Sequence, residues 1–165
     1  MTGDADRTVL LPVPAGLTVP GSSGAPFRRA IRLGDLPPGA LRRFSVGDLD
    51  VLVAHTPGGI LATDDRCPHM AAPLSLGTLE GCVIACPLHQ GAFDLATGET
   101  VRFPTTGGLD ADGVPHDPWI PAGGPARPSV PDLKARARAA TRVRRLRYYP
   151  VRIVDDWLEI AVPEG

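Results

Sequence analysis

From Phe27 onward, short apolar runs alternate with turn signals. The runs Arg28 to Leu33, Leu41 to Val46, Leu49 to His55 and Ile60 to Thr63 are separated by Pro37-Pro38-Gly39, Gly47-Asp48 and Pro57-Gly58-Gly59. Short runs bounded by Gly, Pro and Asp read as strands, so this stretch predicts an antiparallel meander. Gly47-Asp48 suits a two-residue II′ hairpin, because Gly accepts positive φ at the first turn position. A second hairpin is expected near the C-terminal end. There Val151 and Ile153, then Leu158, Ile160 and Val162, alternate with more polar neighbours across Asp155-Asp156. That alternation gives each strand one core-facing side.

Three stretches break the pattern. Residues 1 to 26 hold four prolines, four glycines and no periodic apolar positions. Too little surface can be buried there to offset the ordering entropy, so a mobile tail is expected. Residues 104 to 131 contain seven prolines and five glycines; they exclude a regular helix or a central strand and predict an extended loop or arm. Asp132 to Ala140 is rich in Leu, Lys, Ala and Arg, with Pro131 suited to a first turn, so one short helix is expected. The reading is all-β: one domain over 27 to 163, interrupted by a Pro/Gly-rich and basic insertion at about 104 to 143.

Composition agrees with this picture. Gly and Pro number 19 each in 165 residues and aromatic residues make up 5%, which suits a turn-rich β protein and argues against a helical bundle. No apolar run approaches the roughly 18 residues needed to span a bilayer. Near the N-terminus, Val9-Leu10-Leu11 is broken by Pro12 and Pro14, which excludes a secretory apolar segment, and the cytoplasm is the expected compartment. Net charge is −1, yet residues 134 to 147 carry seven of the 17 basic residues and no acid. Such a stretch could dock an acidic partner or simply form a solvated face. It lacks the interleaved aromatics that would suggest nucleic acid.

The three cysteines are an odd count, which fits metal ligation better than a disulfide framework. Four ligand-type residues fall in two groups, Cys67-Pro68-His69 and Cys86-Pro87-Leu88-His89, with 16 residues between His69 and Cys86. Each group offers one thiolate and one imidazole. Structural zinc sites typically take two Cys from one knuckle and two His from another at wider spacings, so zinc is the weaker alternative. A [2Fe-2S] pair with two thiolates on one iron and two imidazoles on the other matches the mixed groups better. Cys82, in Cys82-Val-Ile-Ala85, reads as a free core thiol. His55 and His116 read as structural or exposed.

Cys67-Pro-His-Met-Ala-Ala-Pro-Leu74 and Cys86-Pro-Leu-His-Gln-Gly-Ala-Phe93-Asp94 resemble the cluster loops of Rieske [2Fe-2S] proteins. The resemblance covers roughly residues 28 to 103 and 144 to 162. It implies a Rieske-like antiparallel β-sandwich with two cluster-binding loops and one [2Fe-2S] cluster. On it, Cys67 and Cys86 would hold the buried iron, while His69 and His89 would hold the outer iron with their ring edges near solvent. Pro68 and Pro87 would shape the loop tips, Phe93 and Leu88 would shield the cluster, and Met70, Gln90 and Gly91 would complete its surroundings.

The departures from that family carry information. High-potential Rieske subunits of respiratory chains link their loops by a disulfide, where this chain has Ala72 and Leu88. They also place a Ser where Gly91 stands, and that hydroxyl stabilises the reduced cluster. Fewer hydrogen bonds to sulfur predict a potential in the lower part of the Rieske range of about −150 to +300 mV. Gln90 stands where such ferredoxins usually carry Gly, which argues against a positive φ at that position.

The resemblance implies a one-electron carrier that accepts electrons from a flavin- or NAD(P)H-linked reductase and delivers them to a terminal oxygenase or other redox enzyme. It would have no catalytic site of its own. Asp112 and His116 cannot supply the 2-His-1-carboxylate iron site of a Rieske oxygenase, which needs two non-cluster histidines on a second domain. The alternatives are a small subunit docked on a larger reductase, as in some nitrite reductases, or an iron-sulfur redox sensor. Neither nucleic acid nor membrane is an expected partner.

Overall fold

The computed structural model describes residues 7–124 and 132–164. Its strands are β1 (Thr8–Leu10), β2 (Phe27–Arg32), β3 (Leu41–Val46), β4 (Leu49–Thr56), β5 (Gly59–Asp64), β6 (Thr78–Glu80), β7 (Val83–Ala85), β8 (Ala92–Asp94), β9 (Thr100–Arg102), β10 (Gly108–Leu109), β11 (Pro115–His116), β12 (Tyr148–Tyr149), β13 (Val151–Val154) and β14 (Trp157–Ala161). Among the described residues the one α-helix is α1 (Leu133–Ala139). All the ladder pairings are antiparallel, in three four-stranded sheets ordered β1-β13-β14-β2, β12-β5-β4-β3 and β6-β7-β8-β9, plus the β10-β11 pair. The all-β expectation therefore holds.

The middle sheet explains an oddity of the sequence. Val51-Leu52-Val53-Ala54 is continuously apolar, as expected of a strand buried on both faces. Leu52, Ala54 and Leu61 point into one core with Ile84, Phe93, Leu95 and Leu146. Val51, Val53, Ile60 and Ala62 point into a second core with Leu158, Ile160 and Val162. Tyr148 and Tyr149 divide between the two cores in the same way. Each full burial of such a side chain contributes about 1.5–3 kcal/mol, so this sheet is the rigid wall behind the first core, where Cys67 and Cys86 lie.

Both predicted hairpins form. Val46 pairs with Leu49 across Gly47, whose φ is +58°, as the II′ geometry requires. Val154 pairs with Trp157 across Asp155, which takes φ +52° without being glycine. The helix forms on Asp132, whose side chain accepts from the Ala135 amide at 2.7 Å. That is an N-cap bond satisfying a donor the first turn leaves free. The expected first-turn Pro131 lies outside the described residues.

Two expectations are corrected. Residues 7 to 26 are not a free tail: β1 pairs with β13, and the Leu11 amide donates to the Val151 carbonyl at 2.9 Å. Tyr148 donates to the Leu17 carbonyl and accepts from the Val19 amide, both at 2.8 Å, while Val13 and Leu17 pack on the first core. The backbone itself finds partners along β12 and β13, so a segment without periodicity is ordered by hydrogen bonds. Residues 1 to 6 lie outside the described ones. Nor are residues 104 to 124 simply an extended arm. The pair β10-β11 folds inside them, and Leu109 exchanges backbone hydrogen bonds with Thr141 and Val143 at 2.9 and 2.6 Å. The rest of the expected arm, 125 to 131, is not among the described residues.

Candidate metal centre

Two loops at one end of the first core carry the four expected donors. The first follows β5 and the second joins β7 to β8. They share one backbone design. Cys67 donates its amide to the Ala72 carbonyl at 2.7 Å and accepts from the Ala71 amide at 2.9 Å. Cys86 donates to Gly91 at 2.8 Å and accepts from Gln90 at 3.2 Å. Each cysteine thus closes a tight loop whose fifth residue, Ala71 or Gln90, takes φ near +60°. This corrects the expectation for Gln90. An exposed Gln with a Cβ does adopt the left-handed region there, and its carbonyl accepts from Arg102 Nε at 2.8 Å.

The surroundings hold the loops face to face. Asp65, just before the first loop, is buried and accepts from the Ser75 amide and hydroxyl at 2.6 Å each and from Arg43 Nε at 2.7 Å. It ties the loop's entry to the turn that follows its exit. Beyond that turn, Gly77 packs so closely on the second loop's approach that a Cβ would sit 2.1 Å from the Ala85 carbonyl oxygen. Only glycine permits that contact.

The donors separate by chemistry. Cys67 and Cys86 are 5% and 2% exposed and lie together in the first core. The interaction between the two side chains pulls the Cys86 thiol down to about 6 and, together with burial, pushes the Cys67 thiol well above its ordinary value. His69 and His89 form a second pair, rings edge to face with centroids 5.1 Å apart. Burial, and then the neighbouring His89, lower the pKa of His69. Among the described residues no three His, Cys, Asp or Glu side chains gather as a single ion would require. A buried thiol pair beside an imidazole pair instead fits a two-iron cage with unlike ends.

The remaining expected residues take varied places. Phe93 is fully buried, and Gly91 is buried beside it. Leu88 is not a shield: it is 59% exposed at the loop tip, and Met70 is 50% exposed. Pro87 is also exposed, while Pro68 is half-buried and its carbonyl accepts from the Arg144 amide at 3.2 Å. Cys82 is half-buried, with its sulfur beside Gly58. His116 is bound to Asp110 at 2.9 Å and stacks on Phe103, with ring centroids 3.9 Å apart.

Sequence reasoning missed a third loop, 104 to 107. The Thr105 amide donates to the His89 carbonyl at 2.8 Å, and Thr106 Oγ1 lies 3.4 Å from His69 Nε2. His69 is consequently only 7% exposed, which corrects the expectation of two ring edges near solvent; His89 is half-buried. Nothing local in Pro104-Thr105-Thr106-Gly107 announces this contact, because it depends on where the chain returns.

Comparison with known proteins follows the same geometry. The family model of the Rieske [2Fe-2S] domain matches residues 28–115. The ferredoxin component of the naphthalene 1,2-dioxygenase/salicylate 5-hydroxylase systems of Ralstonia sp is 43% identical over 74 residues, 45% of this chain and 71% of that protein. The ferredoxin component of the naphthalene 1,2-dioxygenase system of Pseudomonas aeruginosa is 42% identical over 77 residues, 47% of this chain and 74% of its own. The solved structure of the Sphingomonas yanoikuyae B1 ferredoxin superposes with a TM-score of 0.54 at 23% identity, covering 84% of this chain and all of the other, which shows the shared fold. With a matching fold, a thiol pair and an imidazole pair in place, the chain belongs to the Rieske [2Fe-2S] domain family.

Proposed function

We propose that this protein is a Rieske-type ferredoxin whose single cluster is held by Cys67 and Cys86 on one iron and His69 and His89 on the other. The observation that carries this reading is the separation of the donors into a buried thiol pair and an imidazole pair set edge to face. The cluster would supply a site that gains and loses one electron. The chain's own residues do the rest. The paired loops hold the donors at fixed separation, Phe93 and the first core keep the thiol side dry, and His89 offers the more accessible edge for exchange.

The relatives are ferredoxin components of naphthalene 1,2-dioxygenase systems. On that similarity, the reading assigns a reductase as electron donor and a terminal oxygenase as acceptor. A substrate pocket of its own is not part of this role. The exposed apolar tip of Met70 and Leu88 beside the loops suits contact with such partners. The cytoplasm is the compartment proposed, in keeping with three cysteines that form no disulfide. Among the described residues no helix is long and apolar enough to cross a membrane.

The test is direct. Dithionite-reduced protein should give a rhombic EPR signal of low average g, with about two irons and two acid-labile sulfides per chain. His69→Ala and His89→Ala should each abolish that signal. One bound zinc without sulfide, or an unchanged spectrum in both variants, would overturn the assignment.

A further inference from the structure

The stretch that leads from α1 to β12 is an arginine-bearing strap fixed to the first cluster loop. Val143 and Leu146 are 1% and 2% exposed and sit in the first core. Between and beside these anchors, Arg142, Arg144 and Arg147 are exposed, and Arg66 is exposed next to Cys67. The Arg144 amide donates to the Pro68 carbonyl at 3.2 Å, one residue from His69. The position of the strap relative to the candidate metal centre is therefore set by the backbone.

The charges on it are largely uncompensated. Arg145 is held by Glu99 at 2.9 Å and Asp112 at 3.6 Å. Among the described residues, no carboxylate forms an ion pair with Arg66, Arg142, Arg144 or Arg147. Two open grooves run along the strap. One, of about 220 Å³, is lined by Arg66, Pro68, Arg144 and Arg147 together with one carboxylate, Asp64, which accepts from the Tyr149 hydroxyl; the other, of about 450 Å³, by Arg142, Arg144 and Arg147 against Gly16, Leu17, Thr18 and Pro20. Both are shallow and their arginines are solvated, which suits a broad partner surface rather than an enclosed small ligand.

We infer that this strap is the electrostatic docking surface for a carboxylate-rich face of a redox partner, which it steers toward the first cluster loop. The inference rests on the ferredoxin reading. Long-range attraction between opposite charges raises encounter rates and fades with salt. A patch fixed beside the electron-transfer site gains most from it, because encounter and productive orientation then coincide.

The experiment uses purified, cluster-loaded full-length protein and small redox probes of opposite charge. Reduced protein is mixed with ferricyanide, which takes one electron and becomes ferrocyanide, or with hexaammineruthenium(III), which takes one electron and becomes the ruthenium(II) complex. Arg144→Glu combined with Arg147→Glu should slow oxidation by ferricyanide about tenfold or more at low salt, speed oxidation by the ruthenium cation, and change neither rate much at about 1 M salt. Arg28→Glu, on the sheet facing the other core, should leave both rates nearly unchanged. A second readout is independent of turnover: poly-L-glutamate should bind the wild-type protein at low salt and bind the double variant at least tenfold more weakly. Equal effects from Arg28→Glu, or unaltered rates and poly-L-glutamate binding in the double variant, would overturn the docking assignment. If the double variant loses its cluster, Arg144→Gln and Arg147→Gln singly carry the same test with smaller shifts. Absence of the EPR signal in wild-type protein would instead defeat the ferredoxin reading, so the two failures are distinguishable.

Discussion

Ala71 and Gln90 occupy the same station in their two loops. Each lies four residues after a loop cysteine, each donates its amide to that cysteine's carbonyl, and each takes φ near +60°. The left-handed region costs a residue with a Cβ about 1 kcal/mol relative to glycine. Ala71→Gly and Gln90→Gly should therefore each preserve the EPR signal and raise the stability of the cluster-loaded protein by up to about 1 kcal/mol. A β-branched Gln90→Val should lower it and release iron faster. Thermal melts with iron retention as the readout check both; equal stability across the three variants would show that the turn does not govern the loop.

Asp65 is the anchor of the first loop. Its buried carboxylate takes three hydrogen bonds from Ser75 and Arg43. Asp65→Ala leaves those donors without their partner and should cost about 2–4 kcal/mol. Because the bonds join the loop's two ends, iron content should fall along with the melting temperature. Full iron loading with unchanged stability would remove Asp65 from that role.

Gly91 bears on the reduction potential. A serine there would offer a hydroxyl toward the candidate centre, and one added hydrogen bond of about tenfold strength corresponds to roughly 60 mV for a one-electron couple. Gly91→Ser should raise the potential by about that much, from a starting value in the lower part of the Rieske range. The structure adds a complication. A Cβ at Gly91 would lie 3.3 Å from Pro104 Cγ and 3.4 Å from Phe93 Cζ, so the third loop must yield by a few tenths of an ångström. A loss of about 1 kcal/mol in stability should accompany the shift. Protein-film voltammetry reads the potential, and a lower or equal value would count against the hydrogen-bond argument.

The β10-β11 hairpin should respond to acid. The hydrogen bond from His116, followed by the Val114 amide, holds the Asp110 carboxyl below its ordinary value. A carboxyl whose folded-state pKa is depressed contributes stability that is present above its unfolded pKa, near 3.8, and lost as pH falls through the folded value. The protection factor of the Val114 amide, whose N–H donates to Asp110 at 2.9 Å, should therefore fall below about pH 4, once the intrinsic pH dependence of exchange is divided out. In Asp110→Asn that acid dependence should vanish. An identical pH profile in the two proteins would exclude Asp110 as the cause.

Much of this protein is legible locally. Leu41–Val46 runs over the same residues as the short run bounded by turn residues that reads as a strand, and the Gly47 and Asp155 turns lie where the polar interruptions put them. The four donor residues stand out because Cys-x-His and Cys-x-x-His are unusual combinations in so few residues, and a short loop can carry them whatever surrounds it. The apolar run Val51-Leu52-Val53-Ala54 was readable as a strand, but only the packing shows that it divides two cores.

What tertiary structure decided are the contacts between residues far apart in sequence. Leu17 and Val19 are ordered by Tyr148, Thr106 covers His69, and Arg144 is fastened to Pro68. No local period or propensity encodes these pairings, because each depends on the chain closing a long loop onto a wall built elsewhere. The positive φ of Gln90 belongs with them: its own chemistry argues against that conformation, and the closed loop around Cys86 imposes it. Short-range sequence thus determined which groups stand as candidate ligands, while long-range packing determined how exposed each one is.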